Sequence, residues 1–224
     1  MMTRTKDGDV HVVTMQDGQN TIDLDFLGEL NERLDEAERE GDGPAALVLT
    51  GEGKFFSNGL NLDFLTNADR EARAEFGVTM LTTMRRLILF PLPVVAALNG
   101  HAFAAGAFVA LACDFRIQRE DRGWICVSEV DVGVPIGPPM IGLLNAKLPA
   151  ASAREAALTG RRYDADAALA AGFVDAKASE AGLLPAATEH AAALSSKGRA
   201  IFSAIKKDLY AGIAEGYVAA GAKV

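Results

Sequence analysis

Cysteine and histidine are both scarce in this chain of 224 residues. The two cysteines, Cys113 and Cys126, stand among apolar residues, which predicts buried free thiols rather than a disulfide or a catalytic thiol. The three histidines, His11, His101 and His190, are far apart in the sequence. No Cys/His spacing typical of a metal site occurs, so the sequence predicts no metal centre.

The chain also lacks a long apolar segment. Its longest apolar run, residues 87–98, is too short to cross a bilayer and is interrupted by Pro91 and Pro93. Residues 1–8 contain no apolar core of the kind found in signal peptides, and residues 222–224 do not match a peroxisomal address. The prediction is a cytoplasmic protein with no membrane partner.

Positive charge is in deficit. The formal net charge is -8, which argues against an extended basic surface for nucleic acid. Hydrophobic residues make up 50% of the chain, and a chain of this length can bury one substantial core. The sequence therefore predicts an acidic globular protein that binds no nucleic acid.

Short apolar runs and helical periodicity alternate along the chain. The runs predict strands at residues 10–15, 45–50, 94–98, 115–118 and 124–127. Apolar residues that recur every three or four positions predict helices at residues 24–40, 69–90, 104–112, 140–148, 151–158 and 164–171, and from 183 onward. Gly41-Asp42-Gly43 is predicted to end the first helix. The alternation indicates an α/β fold with a helical C-terminal part.

Two glycine-containing turns follow two of the apolar runs. The first turn spans Phe55–Asn61, after the run at 45–50, and the second spans Asn99–Gly106, after the run at 94–98. Each turn links a predicted strand to a predicted helix, and such turns leave backbone N–H groups without partners. Two N–H groups that converge can stabilise a negatively charged oxygen, which is often the largest single contribution to acyl chemistry.

These turns carry a resemblance to a known family. Residues 47–60 resemble the first oxyanion segment of the crotonase, or enoyl-CoA hydratase/isomerase, superfamily, and residues 97–114 resemble the second. Residues 153–175 resemble the closing signature of the family. The resemblance covers residues 10–210 and implies a crotonase-like ββα spiral that binds acyl-CoA thioesters and assembles as a homotrimer or a dimer of trimers.

The resemblance also implies a division of the chain and a set of binding residues. Residues 1–180 would form the spiral core, and residues 181–224 would form a helical segment for trimerisation and closure of the pocket. The backbone N–H groups of Leu60 and Ala105 would donate to the thioester oxygen of the substrate. The residues implied to contact the CoA substrate are Ser57, Asn58, Gly59, Leu60 and Gly106.

The family has two acid/base positions, and both are glutamate in its hydratases. The first position falls on Phe108, which cannot take a proton. The second falls on Glu129, if residues 119–123 are a short insertion. Asp131 is an alternative base, because in a strand or extended loop it would share a face with Glu129. Apolar surroundings would raise the pKa of Glu129 and suit its carboxyl to general-base work.

One carboxylate is sufficient for an isomerase. A base can remove a proton from C2 of a 3-enoyl-CoA, the oxyanion turns hold the charge that develops on the thioester oxygen, and the same acid returns the proton to C4. The resemblance to single-glutamate Δ3,Δ2-enoyl-CoA isomerases implies that Glu129 is this shuttle and that no cofactor is needed beyond the CoA of the substrate. The alternatives are a hydratase or other crotonase-type lyase, and a non-catalytic acyl-CoA-binding protein.

Several polar residues beside these segments have simpler predicted roles. His101 is predicted to be a turn histidine rather than a ligand of CoA, and Asn61 stands where many relatives have aspartate. Lys206 and Lys207 are predicted to lie on a solvated helix face rather than to reach the CoA phosphates. Asp114 is predicted to pack or to cap.

Overall fold

A computed structural model of the protein describes residues 1–40 and 43–224, so Gly41 and Asp42, predicted to end the first helix, lie outside the described residues. The strands are β1 (Met2–Asp7), β2 (Val10–Met15), β3 (Ala46–Gly51), β4 (Phe55–Ser57), β5 (Val94–Leu98), β6 (His101–Phe103), β7 (Phe115–Arg119), β8 (Ile125–Cys126) and β9 (Ala176–Ala178). The helices are α1 (Leu24–Arg39), α2 (Leu62–Asn67), α3 (Arg70–Ile88), α4 (Ala105–Ala112), α5 (Glu129–Val132), α6 (Pro138–Lys147), α7 (Ala150–Thr159), α8 (Ala165–Ala171), α9 (Glu180–Ser195), α10 (Arg199–Leu209) and α11 (Ala211–Ala219).

The strands belong to two sheets that the chain visits in turn. The larger sheet has the order β1-β2-β3-β5-β7-β9, parallel throughout except for the antiparallel pairing of β1 with β2. The smaller sheet is parallel, with the order β4-β6-β8. Each of β3, β5 and β7 is followed by a strand of the smaller sheet and then by a helix. This repeat is the predicted ββα spiral, and the helices α9 to α11 form its helical C-terminal region.

The larger sheet is buried on both faces. Every residue of β3 and β5 is buried. Leu183, Ala187 and Ala191 of α9 cover one face, and the main core beneath α1, α3 and α4 covers the other. Parallel strands that are covered on both faces have continuous apolar runs rather than alternating ones, which explains why the runs predicted these strands.

The longer predicted elements are confirmed to within a few residues. Asp23, Asp69 and Asp164 accept hydrogen bonds from N–H groups three residues later and begin α1, α3 and α8. Helix α3 ends at Ile88, ahead of Pro91. The helix predicted to begin at residue 140 instead begins at Pro138, because proline is well suited to the first turn of a helix.

The sequence does not predict the short elements β1, β4, β6, β9, α2 and α5. Strands β4 and β6 have three residues each, too few to show a period, and they are extended because neighbouring turns of the spiral supply their hydrogen-bond partners. The prediction that both segments are turns is therefore wrong at residues 55–57 of the first segment and 101–103 of the second. No helix in residues 1–40 and 43–224 is long and apolar enough to cross a membrane. The cytoplasmic location and the division into 1–180 and 181–224 stay predictions.

A buried ion pair attaches α10 to the sheet. Lys206 is 3% exposed, and its Nζ lies 2.8 Å from Oδ1 of Asp114. Oδ2 of Asp114 also accepts the N–H of Val94 at 2.8 Å, so Asp114 packs and caps as predicted. The predicted solvated face is wrong for Lys206 and confirmed for Lys207, which is exposed. Adjacent helical residues point about 100° apart, so only one of the two lysines can face the core.

The substitution Lys206→Met tests this ion pair. We expect it to lower the free energy of unfolding by about 3 kcal/mol, because the charge of Asp114 would stay buried without its partner. The matched control Lys207→Met, at the exposed neighbouring position, is expected to change it by less than about 0.5 kcal/mol. Urea unfolding followed by circular dichroism measures both values, and equal effects of the two substitutions would contradict the assignment.

Candidate active site

The first donor turn, residues 57–60, follows β4 and is held by the segment before α1. Ile22 N–H donates to Gly59 O at 2.8 Å, and Asn61 N–H donates to Ile22 O at 2.9 Å. In this parallel bridge the N–H of Leu60 points to the opposite side, and it has no acceptor among the described residues. Gly59 makes the turn possible, because its φ of +88° is unfavourable for other residues.

The second donor turn, residues 103–106, joins β6 to α4. Ala104 has a φ of +48°, a left-handed conformation that costs a residue other than glycine about 1–3 kcal/mol. Its N–H donates to Cys126 O at 2.9 Å, and its carbonyl accepts the N–H of Ala107 at 2.9 Å. The bend leaves the N–H of Ala105 without an acceptor in the described part of the chain. Ala105 is at the N-terminus of α4, where the helix dipole favours negative charge.

The two donor turns pack directly against each other. A Cβ built on Gly59 would lie 3.5 Å from the backbone N of Ala105. A Cβ built on Gly106 would lie 2.5 Å from the carbonyl O of Ser57, closer than real atoms approach. The absence of a side chain at both glycines is therefore what allows the contact. Leu60 and Ala105 border the same cavity, so the residues that carry the two unpartnered amides share one space.

Two cavities meet beside the donor turns. The first cavity, of about 320 Å³, is bordered by Asn58, Leu60, Leu62, Phe103, Ala104, Cys126, Ser128, Glu129, Asp131, Val132, Val134 and Arg162. The second cavity, of about 270 Å³, lies between α3 and α6 and is bordered by Leu60, Phe76, Gly77, Met80, Leu81, Ala105, Phe108, Glu129, Val134, Pro135, Ile136, Gly137, Pro139 and Met140. Because Leu60, Glu129 and Val134 border both cavities, one elongated molecule can extend through the two past these residues.

Glu129 is a buried carboxylic acid at the junction of the two cavities. It begins the one-turn helix α5 and is 8% exposed. Its Oε2 has no hydrogen-bond partner among the described residues. Burial raises the pKa of Glu129 above its ordinary value, and its own backbone amide opposes the shift. A carboxyl in this state is suited to accept a proton from carbon and to return it.

Phe108 lies on α4 and borders the second cavity with Glu129. It is 2% exposed. Among the described residues that border this cavity, Glu129 is the one with an ionisable side chain. The position where the resemblance would place a second acid is therefore part of the apolar wall of the cavity that Glu129 borders.

Asp131 does not share a face with Glu129, because the extended backbone expected for this segment is wrong. Residues two apart on the helix α5 point about 200° apart around its axis. Asp131 is exposed, its carboxylate lies against Gly160, and it borders only the first of the two cavities. Asp131 is therefore in a more solvated position than Glu129.

One cation, Arg162, borders the first cavity, together with the acids Glu129 and Asp131. The guanidinium of Arg162 lies 5.4 Å from the ring centroid of Trp124 and 5.7 Å from that of Phe103. Lys54 and Arg122 form a cationic group with Arg162 around His101, whose pKa all three charges lower, and none of these three cations forms an ion pair within the described residues. The arrangement offers cations and aromatic faces to an anionic ligand.

His101 is enclosed by this cationic group. Its Nδ1 accepts the N–H of Trp124 at 3.2 Å, and its ring stacks on Phe103 at a centroid distance of 5.0 Å. Burial, and then the charges of Lys54, Arg122 and Arg162, lower the pKa of His101. The histidine borders neither cavity, in keeping with a structural role, but it lies in β6 and not in a turn as predicted.

The side chains of the first donor turn mostly hold the turn itself. The Ser57 hydroxyl donates to Asn20 O at 2.7 Å and is fully buried. Asn58 Nδ2 donates to Gln19 Oε1 at 2.6 Å while the residue borders the first cavity. Asn61 caps α2 by accepting the N–H of Phe64 at 3.0 Å. The backbone of Ser57, Asn58, Gly59, Leu60 and Gly106 surrounds the donor amides, and the predicted contacts of these residues with CoA stay predictions.

Sequence reasoning misses Arg162 as a residue of the site. It lies outside the two donor turns and reaches the first cavity because β8 and the segment at residue 163 are paired through Ile125. The available signal is Gly160 followed by two arginines, where a helix ends and the chain turns back to the smaller sheet.

Comparison with known proteins agrees with this geometry. A model of the family described as enoyl-CoA hydratase/isomerase matches residues 5–220, so the chain belongs to that family, the crotonase superfamily. The peroxisomal enoyl-CoA delta isomerase 2 of Arabidopsis thaliana is 32% identical over 221 residues, which cover 94% of this chain and 92% of that protein.

Solved structures show the same fold. An enoyl-CoA isomerase of Mycobacterium tuberculosis has a TM-score of 0.90 and 28% identity, and the match covers 98% of this chain and 95% of that chain. An enoyl-CoA hydratase of Mycobacterium ulcerans has a TM-score of 0.90 and 29% identity, with the same shares covered. Both activities are thus named among proteins of this fold and this degree of similarity.

The substitution Glu129→Gln tests the burial of the carboxyl independently of any activity. We expect it to raise the free energy of unfolding at pH 7, because a carboxyl with a raised folded pKa is costly to ionise in the folded state. Below about pH 4.5, both states of the wild-type protein are protonated, and the gain should disappear. Urea unfolding of the variant and the wild type at several pH values measures this gain in the free energy of unfolding. The exposed control Asp131→Asn should show no comparable gain, and a Glu129→Gln protein without a pH-dependent gain would contradict the burial.

Proposed function

We propose that the protein is an enoyl-CoA isomerase that moves a double bond from C3 to C2 of its substrate. The observation that carries the proposal is Glu129, a buried and unpartnered carboxyl at the junction of two cavities, beside two unpartnered backbone amides. Membership of the enoyl-CoA hydratase/isomerase family supports an acyl-CoA thioester as the substrate, and the similarity to the Arabidopsis isomerase supports the reaction.

The two cavities and the charges suggest how the substrate binds. The thioester oxygen accepts the N–H groups of Leu60 and Ala105. The acyl chain extends into the apolar second cavity. The CoA portion occupies the first cavity, with its phosphates toward the unpaired cations Lys54, Arg122 and Arg162. This placement puts C2 and C4 of a 3-enoyl chain beside Glu129, one of the three residues that border both cavities.

The reaction then needs one proton to move between two carbons. The carboxylate of Glu129 removes a proton from C2, and the C3–C4 double bond becomes part of a dienolate whose negative charge lies on the thioester oxygen. The two amides stabilise that oxygen by donating hydrogen bonds to it. The loss of one such donor typically costs about 2.7–4 kcal/mol of transition-state stabilisation. The protonated Glu129 returns the proton to C4, and the double bond is then between C2 and C3. The atoms balance without a further cofactor.

The nature of Phe108 favours isomerisation over hydration. A hydratase needs a second group to activate water, and the side chain at this position is apolar and nearly fully buried. Asp131 borders the first cavity and is the residue that a hydratase or lyase mechanism would use instead. A protein that binds acyl-CoA without turnover is the third candidate, and the family match alone favours none of the three.

Assay of two variants tests the proposal. We expect Glu129→Gln to lower kcat for 3-enoyl-CoA isomerisation by about 10²–10⁴-fold, since the shuttle can no longer accept a proton. Asp131→Asn tests the alternative base and is expected to change kcat only a few-fold. The 2-enoyl-CoA product is measured by its ultraviolet absorbance. A reversed pattern would assign the base to Asp131, hydration of 2-enoyl-CoA would indicate a hydratase, and calorimetric binding without turnover would indicate a binding protein.

We also propose that the protein assembles as a homotrimer or a dimer of trimers through α10. Ile201, Ile205 and Leu209 recur every four residues on one stripe of this helix, and they are 68%, 59% and 67% exposed. Such a row of large apolar side chains is typical of a surface that is covered in an assembly. Lys206, on another side of the same helix, attaches it to the sheet, so the stripe faces away from the core.

The substitution Ile205→Asp tests this assembly. We expect it to convert the oligomer to monomers, because a carboxylate buried in an apolar interface has no partner. Sedimentation velocity gives the mass of the particle. The control Lys207→Asp introduces the same charge on the exposed side away from the stripe and should leave the oligomer intact. A wild-type monomer, or an intact Ile205→Asp oligomer, would contradict the proposal.

A further inference from the structure

The second cavity has an apolar wall built from two helices. Phe76, Met80 and Leu81 line it from α3, and Ile136 and Met140 line it from the start of α6 and the loop before it. Methionine side chains are flexible and polarisable, so they adapt to a chain of methylene groups. The lining favours a hydrocarbon chain over a polar or charged group.

The size of the cavity limits the length of that chain. One water takes up about 30 Å³ of liquid volume, and a methylene group is of similar size, so a space of 270 Å³ admits about nine methylene groups. The first three carbons of the acyl group lie outside this count, beside Glu129 and the donor amides. An acyl chain of four carbons is therefore too short to fill the cavity, and an acyl chain of about twelve carbons fills it.

Gly77 keeps this space open. It lies on α3 between Phe76 and Met80 and borders the second cavity, and a Cβ built on it would meet no atom within 4 Å. Glycine in the interior of a helix costs about 1 kcal/mol relative to alanine, so it is unfavourable at this position on grounds of helix formation alone. A larger side chain at position 77 has room to fit, and it would occupy the space that the acyl chain needs.

We propose that the substrate carries a hydrocarbon acyl chain of up to about twelve carbons, and that Gly77 sets the upper limit of this length. The inference rests on the proposed function in placing the acyl chain in the second cavity. It adds a substrate class, and it assigns to Gly77 a role in specificity rather than in the chemistry.

Calorimetric binding of saturated acyl-CoAs with 4 to 16 carbons tests the proposal without requiring turnover. For the wild type, we expect affinity to rise up to about fourfold per added methylene and to level off near twelve carbons, where further carbons reach solvent. A leucine side chain has four carbons, so Gly77→Leu should end the rise about four carbons earlier. Dodecanoyl-CoA should then bind the variant at least about tenfold more weakly relative to butyryl-CoA than it binds the wild type.

Gly28→Leu is the matched control. It makes the same change inside α1, at an exposed position that borders neither cavity and where a Cβ also meets no atom within 4 Å. Its chain-length profile should match that of the wild type. Both substitutions replace a helical glycine, so both should favour the folded state, and circular dichroism verifies this.

The outcomes separate the inference from the proposed function. A chain-length profile that is flat, or one that Gly77→Leu leaves unchanged, overturns the inference even if 3-enoyl-CoA is isomerised. A profile shortened by Gly77→Leu supports the inference even if no enoyl-CoA is turned over, and the isomerase proposal then fails alone. If no acyl-CoA binds to the wild type, both are overturned.

Discussion

The contact between the two donor turns is the constraint on which the rest of the structure depends. The turns approach so closely that neither Gly59 nor Gly106 has room for a side chain without displacing backbone atoms. The unfavourable φ of Ala104 adds a local energetic cost, which the hydrogen bonds around it offset. The same turns leave the N–H groups of Leu60 and Ala105 without acceptors among the described residues, and both residues border one cavity.

The spiral explains how distant segments reach that contact. Each of its turns places one strand in the larger sheet and the next in the smaller sheet, so the ends of β4, β6 and β8 lie side by side. The donor turns follow β4 and β6, and Glu129 follows β8 by a few residues. The smaller sheet thus aligns two donors and one acid, while the larger sheet and its apolar faces supply most of the core. Most of the core therefore lies against the larger sheet, and the candidate site lies at the ends of the strands of the smaller sheet.

Glu129 shows what the site costs the fold. A carboxyl without a partner in an apolar cavity resists ionisation, and at neutral pH this opposes folding. Lys206 and Asp114 show the contrasting arrangement between α10 and the larger sheet, where both charges are buried but each has its partner. The difference between an unpaired and a paired buried charge distinguishes a group available for proton transfer from one that holds helices together.

Local patterns in the sequence determined much of this protein. The buried strands, the longer helices and the glycines of both donor turns are recognisable from neighbouring residues, because periodicity and turns are properties of short segments. Glu129 is instead singled out by the resemblance to the family. Only the tertiary structure decided which side chains meet. Packing between segments far apart in the chain sets the separate directions of Glu129 and Asp131. It also buries Lys206 and positions Arg162 at the site. Such packing leaves no local pattern, since the interacting residues are constrained by their partners rather than by their sequence neighbours.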